Sequence, residues 1–304
     1  MKTEASFHPG HAAEGTPSWN QQIRLRDGRA LGFAEFGDPH GKPVFYFHGF
    51  PGSRLEAQVA AGLASRHEAR IIAVDRPGYG LSEFKPDRSI GEWPADILEI
   101  ADLLRLDRFT VLGISGGGPY AAACALKIPD RLISVGLVSG MGPPEALQQT
   151  GAMRWMNRAA LFLACHTPAL VEMACAGIAM SIRRRPERVV SRLMRLVSPV
   201  DKEVLSREEF QEALCRSFRE AVRLDLRGPG RDLVLYARPW DFQLQDIRMP
   251  VNLWHGEHDW IVPPSMGRFQ QNAIPNCRAI FFEQEGHFSL IMKHMKDIFD
   301  TLTS

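Results

Sequence analysis

The 304-residue chain has almost no net charge, with 36 Lys+Arg against 35 Asp+Glu, so no long-range field gathers nucleic acid or an anionic membrane non-specifically. Cysteine is scarce. Cys124, Cys165, Cys175, Cys215 and Cys277 are an odd, scattered set without metal-ligand spacing, which reads as reduced thiols in a cytoplasmic protein. An unbroken membrane-spanning run is missing too: the nearest, residues 159–180, is interrupted by His166, Pro168 and Glu172, and a carboxylate at mid-membrane costs roughly 2.5–3.5 kcal/mol. Residues 1–22 lack the basic-then-apolar order of a secretory signal and read as a loose tail. Internal repeats and low-complexity tracts are absent. What remains is 45% hydrophobic and 23% charged, a composition able to bury a sizeable core.

Two short alternating segments, residues 23–26 and 30–36, flank Asp27-Gly28 and predict a β-hairpin. Beyond it, residues 44–47, 70–74, 109–114, 132–138, 251–254 and 279–282 are short runs rich in Val, Ile, Leu and Phe, suited to strands covered on both faces. Helical patterns at 55–66, 90–106, 117–127, 264–273 and 288–302 alternate with them. The expectation is an α/β fold: a mostly parallel sheet of about eight strands flanked by helices, with the active site at the carboxyl ends of the strands. About a hundred residues, 141–240, interrupt the alternation with helical patterns alone. They predict a helical cap between two parts of a core domain, 23–140 and 241–304.

At Gly113-Ile114-Ser115-Gly116-Gly117 a serine follows a strand-like run and precedes a helix of small residues, the context of a nucleophile elbow. The flanking glycines have a steric purpose, because a Cβ beside such a tight turn would strike the adjacent strand or helix. A phosphate loop is the bland alternative, but no Gly-Lys-Ser/Thr follows and Gly-x-Gly-x-x-Gly does not fit.

Further motifs stand in order along the chain: His48-Gly49-Phe50-Pro51-Gly52, Asp75-Arg76-Pro77-Gly78-Tyr79-Gly80-Leu81-Ser82, Gly256-Glu257-His258-Asp259 and Gly286-His287. With Ser115 they resemble the α/β-hydrolase superfamily, in its capped, esterase-like branch of serine hydrolases. The resemblance implies a catalytic triad of Ser115, Asp259 and His287, in which His287 takes the serine proton and Asp259 orients and stabilises the imidazolium. By the same analogy the backbone N–H groups of Phe50 and Gly116 form the oxyanion hole. Glu257, Asp241 and Asp246 are the acids nearest the motif, and none occupies its position. His48, His255, His258 and His294 are read as structural.

The implied activity is cofactor-free and metal-free hydrolysis of a small to medium, apolar carboxylic ester, lactone or thioester through an acyl-enzyme. Two alternatives stay open: carbon–carbon bond hydrolysis of a diketone, and a ligand receptor on a hydrolase fold. Epoxide and haloalkane chemistry need a carboxylate where this chain has Ser115. In the cap, Trp155, Phe162 and Met173 are the candidate substrate-binding residues, since residues 159–180 are too apolar for a solvent-facing lid. That stretch either lines a substrate pocket or meets another subunit, as in a homodimer. Arg183, Arg184, Arg185, Arg188, Arg192 and Arg195 read as a solvated helix face, with an acidic partner such as a coenzyme A thioester as the sharper alternative. The expected partner is a small molecule, without nucleic acid or membrane.

Overall fold

The computed structural model describes residues 19–148 and 155–304. Its sheet has eight strands in the order β1-β2-β4-β3-β5-β6-β7-β8. These are β1 (Gln21–Arg24), β2 (Ala30–Gly37), β3 (Lys42–Phe47), β4 (Ala69–Val74), β5 (Phe109–Ile114), β6 (Leu132–Val138), β7 (Val251–Gly256) and β8 (Cys277–Phe282). The β1–β2 and β2–β4 pairs are antiparallel and the others parallel. Gly28, at φ +87°, turns the first hairpin, a conformation that favours glycine. β1 begins at Gln21, inside the segment read as a tail, because Gln21–Arg24 pairs with β2 and the Gln22 amide donates to Leu81 C=O at 2.7 Å.

The helices outside the long insertion are α1 (Ala61–Arg66), α2 (Trp93–Leu103), α3 (Gly118–Lys127), α11 (Pro264–Ala273) and α12 (His287–Thr303). Between β6 and β7 lie α4 (Pro144–Gln148), α5 (Trp155–His166), α6 (Pro168–Arg184), α7 (Pro186–Leu193), α8 (Pro199–Leu205), α9 (Glu208–Ala221) and α10 (Arg227–Ala237). The helical pattern at 55–66 resolves into 3-10 turns over Arg54–Ala60 followed by α1. Arg54 is wholly buried there, its backbone N–H and guanidinium both donating to Asp75 at 2.7 and 2.6 Å.

Strand alternation divides the core. On one face Phe45, Phe47, Ile72, Val74 and Val111 pack with Ile97 of α2 and Ala121 of α3. On the other, Val44, Tyr46, Ile71, Ala73 and Leu112 pack with Ala64 of α1 and Ile298 of α12. Neighbouring residues thus enter opposite cores, which is why these runs are apolar throughout rather than alternating with polar residues.

The helical insert is tied to the sheet domain through polar groups as well as apolar ones. Asp232 of α10 is fully buried and accepts from Arg76 Nε at 2.8 Å, Arg88 Nη2 at 2.5 Å, and the hydroxyls of Tyr120 and Tyr79 at 2.6 and 2.9 Å, with the Tyr236 hydroxyl oxygen 3.1 Å away. Burial alone would raise its pKa, but Arg76 and Arg88 outweigh that and hold the carboxyl well below the usual carboxylate range. Asp232→Ala leaves two buried guanidinium groups without their shared anion, so the expected loss is about 3–5 kcal/mol, measured by urea denaturation. A loss under about 1 kcal/mol contradicts the network's role.

Candidate active site

β5 runs through the middle of the sheet and stops at Ile114, placing Ser115 at its carboxyl end with φ +51°. A non-glycine residue in this left-handed region costs roughly 1–2 kcal/mol, and the surroundings impose it. An ideal Cβ on Gly113 would lie 2.6 Å from Gly117 O, and one on Gly117 would lie 2.1 Å from Phe47 O. Only glycine at both positions lets the turn close on β3 and α3 while Ser115 projects.

Asp259 lies in the turn after β7 and His287 opens α12. Both are buried, and the Asp259 carboxylate is fixed by Ile261 N–H and Val262 N–H, which donate to Oδ1 at 2.9 and 2.8 Å. Its other oxygen, Oδ2, faces His287 Nδ1 at 2.7 Å. With Nδ1–H donating to the carboxylate, Nε2 is left as the acceptor of a neutral imidazole. Burial favours that neutral form, yet the Asp259 charge and its hydrogen bond, with Asp201 and Glu56 further off, raise the imidazole pKa above its ordinary value.

Ser115 and His287 share a cavity of about 190 Å³. The sheet domain contributes Gly49, Phe50, Glu56 and Ile114, and the insert contributes Val189 and Leu193 of α7, Leu205 of α8, and Phe210, Leu214 and Phe218 of α9. Phe50 and Gly116 adjoin: a Cβ on Gly116 would stand 2.9 Å from Phe50 Cβ and 3.3 Å from its backbone N. The loop carrying Phe50 is held from several sides. Arg76 donates to His48 C=O and, at 3.1 Å, to Gly49 C=O, while Gly49 N–H donates to Glu56 at 3.0 and 3.1 Å. His48 accepts from Arg76 N–H at 3.2 Å, and burial with the nearby Arg76 charge holds its pKa well below the usual histidine value. This arrangement provides a hydroxyl and a histidine oriented by a carboxylate at one apolar cavity, with the backbone of Gly116 adjoining Phe50 beside them.

Residues 42–174 match the family model for the alpha/beta hydrolase fold. The solved esterase of Exiguobacterium antarcticum superposes with a TM-score of 0.68 at 18% identity, covering 93% of this chain and 97% of that one. The chain has the α/β-hydrolase fold. A serine hydrolase-like protein of Danio rerio is 31% identical over 39% of this chain and only 38% of its own length. A 2-hydroxymuconate semialdehyde hydrolase of Pseudomonas putida is 23% identical over 83% of this chain and 82% of its own.

The structure moves the insert's contribution to the cavity. Phe162 and Met173, expected to meet substrate, are 61% and 68% exposed on the outer side of α5 and α6, and Leu170 and Ile178 are exposed beside them. The Trp155 side chain lies outside the described residues. The wall is instead built by α7 and α9, where Phe210, Ala213, Leu214, Ser217 and Phe218 recur at one-face helical spacing. That stripe was present in the sequence and was passed over for the more apolar 159–180. Arg183, Arg184, Arg185, Arg188, Arg192 and Arg195 all point to solvent, while Val189 and Leu193 turn inward to the cavity.

Glu56, Asp201 and Asp232 also escaped the sequence reading, because nothing in their local pattern announces the loop or helix that each one holds. Among the described residues no cluster of three His, Cys, Asp or Glu fits a metal ion, and no helix is long and apolar enough to cross a membrane.

Because Asp259 outweighs burial at His287, an NMR titration of this imidazole should give a midpoint above 6.5. Asp259→Asn removes the largest raising charge and leaves burial opposed only by Asp201 and Glu56, so the midpoint should fall. An unmoved midpoint contradicts the pairing.

Proposed function

We propose that this α/β-hydrolase is a serine hydrolase that cleaves small to medium apolar carboxylic esters, lactones or thioesters. The observation that carries the proposal is Ser115, held in a left-handed turn at the mouth of an apolar cavity that also receives His287 with its Asp259 partner. Ser115 Oγ attacks the carbonyl carbon as His287 Nε2 takes its proton. The N–H groups of Phe50 and Gly116 receive the developing oxyanion, and Asp259 stabilises the imidazolium. Collapse of the tetrahedral intermediate expels the alcohol, which takes the proton back from His287. Water then repeats the sequence on the acyl-enzyme, releasing the acid and restoring Ser115.

In this reading the insert acts as a cap and sets substrate choice through α7 and α9. A volume near 190 Å³ is of the order that holds a benzene-sized ligand (~150 Å³), so the acyl or alcohol group it takes is short. Carbon–carbon bond hydrolysis is the second reading, favoured by the match to the semialdehyde hydrolase along most of the chain. A diketone substrate included in the assay separates the two.

Ser115→Ala should abolish both ester turnover and labelling by a fluorophosphonate probe while the fold persists. Turnover within tenfold of wild type removes the assignment, and failure of the wild-type chain to label favours a ligand receptor. On p-nitrophenyl esters, each methylene buried contributes about 0.8 kcal/mol, so lengthening acetate to pentanoate should raise kcat/KM up to roughly fiftyfold. Phe218→Ala and Leu214→Ala should flatten that profile, whereas Phe162→Ala and Met173→Ala should leave it unchanged. The reverse result would return the substrate wall to α5 and α6.

A further inference from the structure

The helix that His287 begins has no capping side chain of its own. Its N-cap residue is Gly286, which has no side chain to offer, and Ser289 Oγ accepts from Gly286 N–H at 2.8 Å. The first turn of a helix leaves several N–H groups without intrahelical partners. Here they are met by a residue of the insert, 86 positions earlier in the chain. Asp201 Oδ2 accepts from His287 N–H at 3.0 Å, and Asp201 Oδ1 accepts from Phe288 N–H at 2.8 Å and Ser289 N–H at 2.9 Å.

Asp201 is fully buried and fixed in turn by Ser198 Oγ, which donates to Oδ2 at 2.8 Å. The fit requires glycine at 286, since a Cβ there would lie 2.4 Å from Asp201 Oδ2 and 2.5 Å from Ser198 Oγ. These bonds join α8 of the insert to α12 of the sheet domain at the residue that presents the imidazole. Leu205 of the same α8 lines the cavity.

We infer that Asp201 is a positioning residue for His287: the insert supplies the N-cap of the histidine's helix, so the base is correctly placed only when the insert is seated. The inference rests on the proposed role of His287 as base. Its physical content is that a seated insert brings three acceptor bonds and a negative charge to the first turn of α12, and a displaced one removes both. The insert therefore does more than wall the cavity. It couples closure over the substrate to readiness of the group that activates Ser115.

The charges facing His287 come from four elements. Asp259 pairs with its ring from the turn after β7, Asp201 lies behind its backbone on α8, Glu56 faces it across the cavity, and His255 approaches from β7. Replacing Asp201 by asparagine leaves Asp259, Glu56 and His255 in place but removes one negative charge, which favours the neutral imidazole. It also sets an amide N–H against one of the donors of the first turn. The pH profile of kcat/KM requires neutral His287, so its acid limb should move to lower pH by roughly half a unit.

The decisive comparison is wild type, Asp201→Asn and Gly286→Ala, assayed on a p-nitrophenyl ester with NMR titration of His287 and amide exchange in α12. Asp201→Asn should lower kcat about tenfold with little change in KM, shift both the activity limb and the imidazole titration downward, and speed exchange at His287, Phe288 and Ser289 but not at mid-helix. Gly286→Ala keeps the carboxylate but displaces it, and should reproduce the kcat loss and the faster exchange. A folded Asp201→Asn variant with unmoved titration and unmoved exchange overturns the inference. So does a kcat loss without either change, since a purely structural role would produce that. Titration and exchange are read without turnover, so they judge Asp201 even if fluorophosphonate labelling should remove Ser115 as nucleophile.

Discussion

The buried carboxylate of Asp232 is the constraint on which the rest of the site depends. It draws Arg76 and Arg88 into the interior, and Arg76 then reaches the carbonyl oxygens of His48 and Gly49, fixing the loop that carries Phe50. On the same helix Tyr236 donates to Gly116 C=O at 2.8 Å, next to Ser115. One acidic residue of the insert thereby sets the positions of both backbone segments that flank the serine. Such a cluster is strong only when complete, because any buried charge left unpaired carries its full desolvation cost.

A similar logic operates at the other end of the site. Asp259 is held by two backbone N–H groups of its own turn and presents its free oxygen to His287, while Asp201 holds the backbone from which His287 projects. The imidazole is thus restrained at its ring and at its root by different parts of the chain. Rigid positioning of this kind is what proton transfer in a water-poor cavity demands, since small misplacements are costly in rate. The two insert carboxylates, Asp232 and Asp201, hold different partners around the site: Asp232 the side chains of Arg76 and Arg88, Asp201 the backbone of His287. The insert is consequently part of the scaffold that holds Ser115 and His287 as well as a wall of their cavity.

Much of this was legible in the chain. β5 and β6 fall where their apolar runs place them, because strands buried on both faces need no polar alternation and so stand out from their surroundings. Ser115, Asp259 and His287, which the fold gathers around one cavity, each sit in a motif whose glycines or turn residues answer a local steric need. Harder to read were elements whose identity depends on distant neighbours. The first hairpin was expected from its Asp27-Gly28 turn, but β1 starts two residues earlier than its apolar alternation suggests, because the pairing of Gln21 and Gln22 with β2 and the Gln22 contact with Leu81 leave no local mark. Apolarity alone points to residues 159–180 as the cavity wall, yet α5 and α6 turn Phe162 and Met173 outward.

What the sequence by itself determined is the frame: strand and helix periods, the tight glycine turn at Ser115, and the order of Ser115, Asp259 and His287 along the chain. These follow from backbone sterics and hydrophobic spacing, which act over a few residues. Only the tertiary structure decided which carboxylates hold that frame. Ser198-Pro199-Val200-Asp201 reads as the start of its own helix, and so it is, with Ser198 as N-cap. That its aspartate also receives the N–H groups of His287, Phe288 and Ser289 depends on the packing of α8 against α12 and on the space left by Gly286. A hydrogen bond between residues far apart in the chain leaves no periodic trace, because the fold brings donor and acceptor together and no local pattern encodes their meeting.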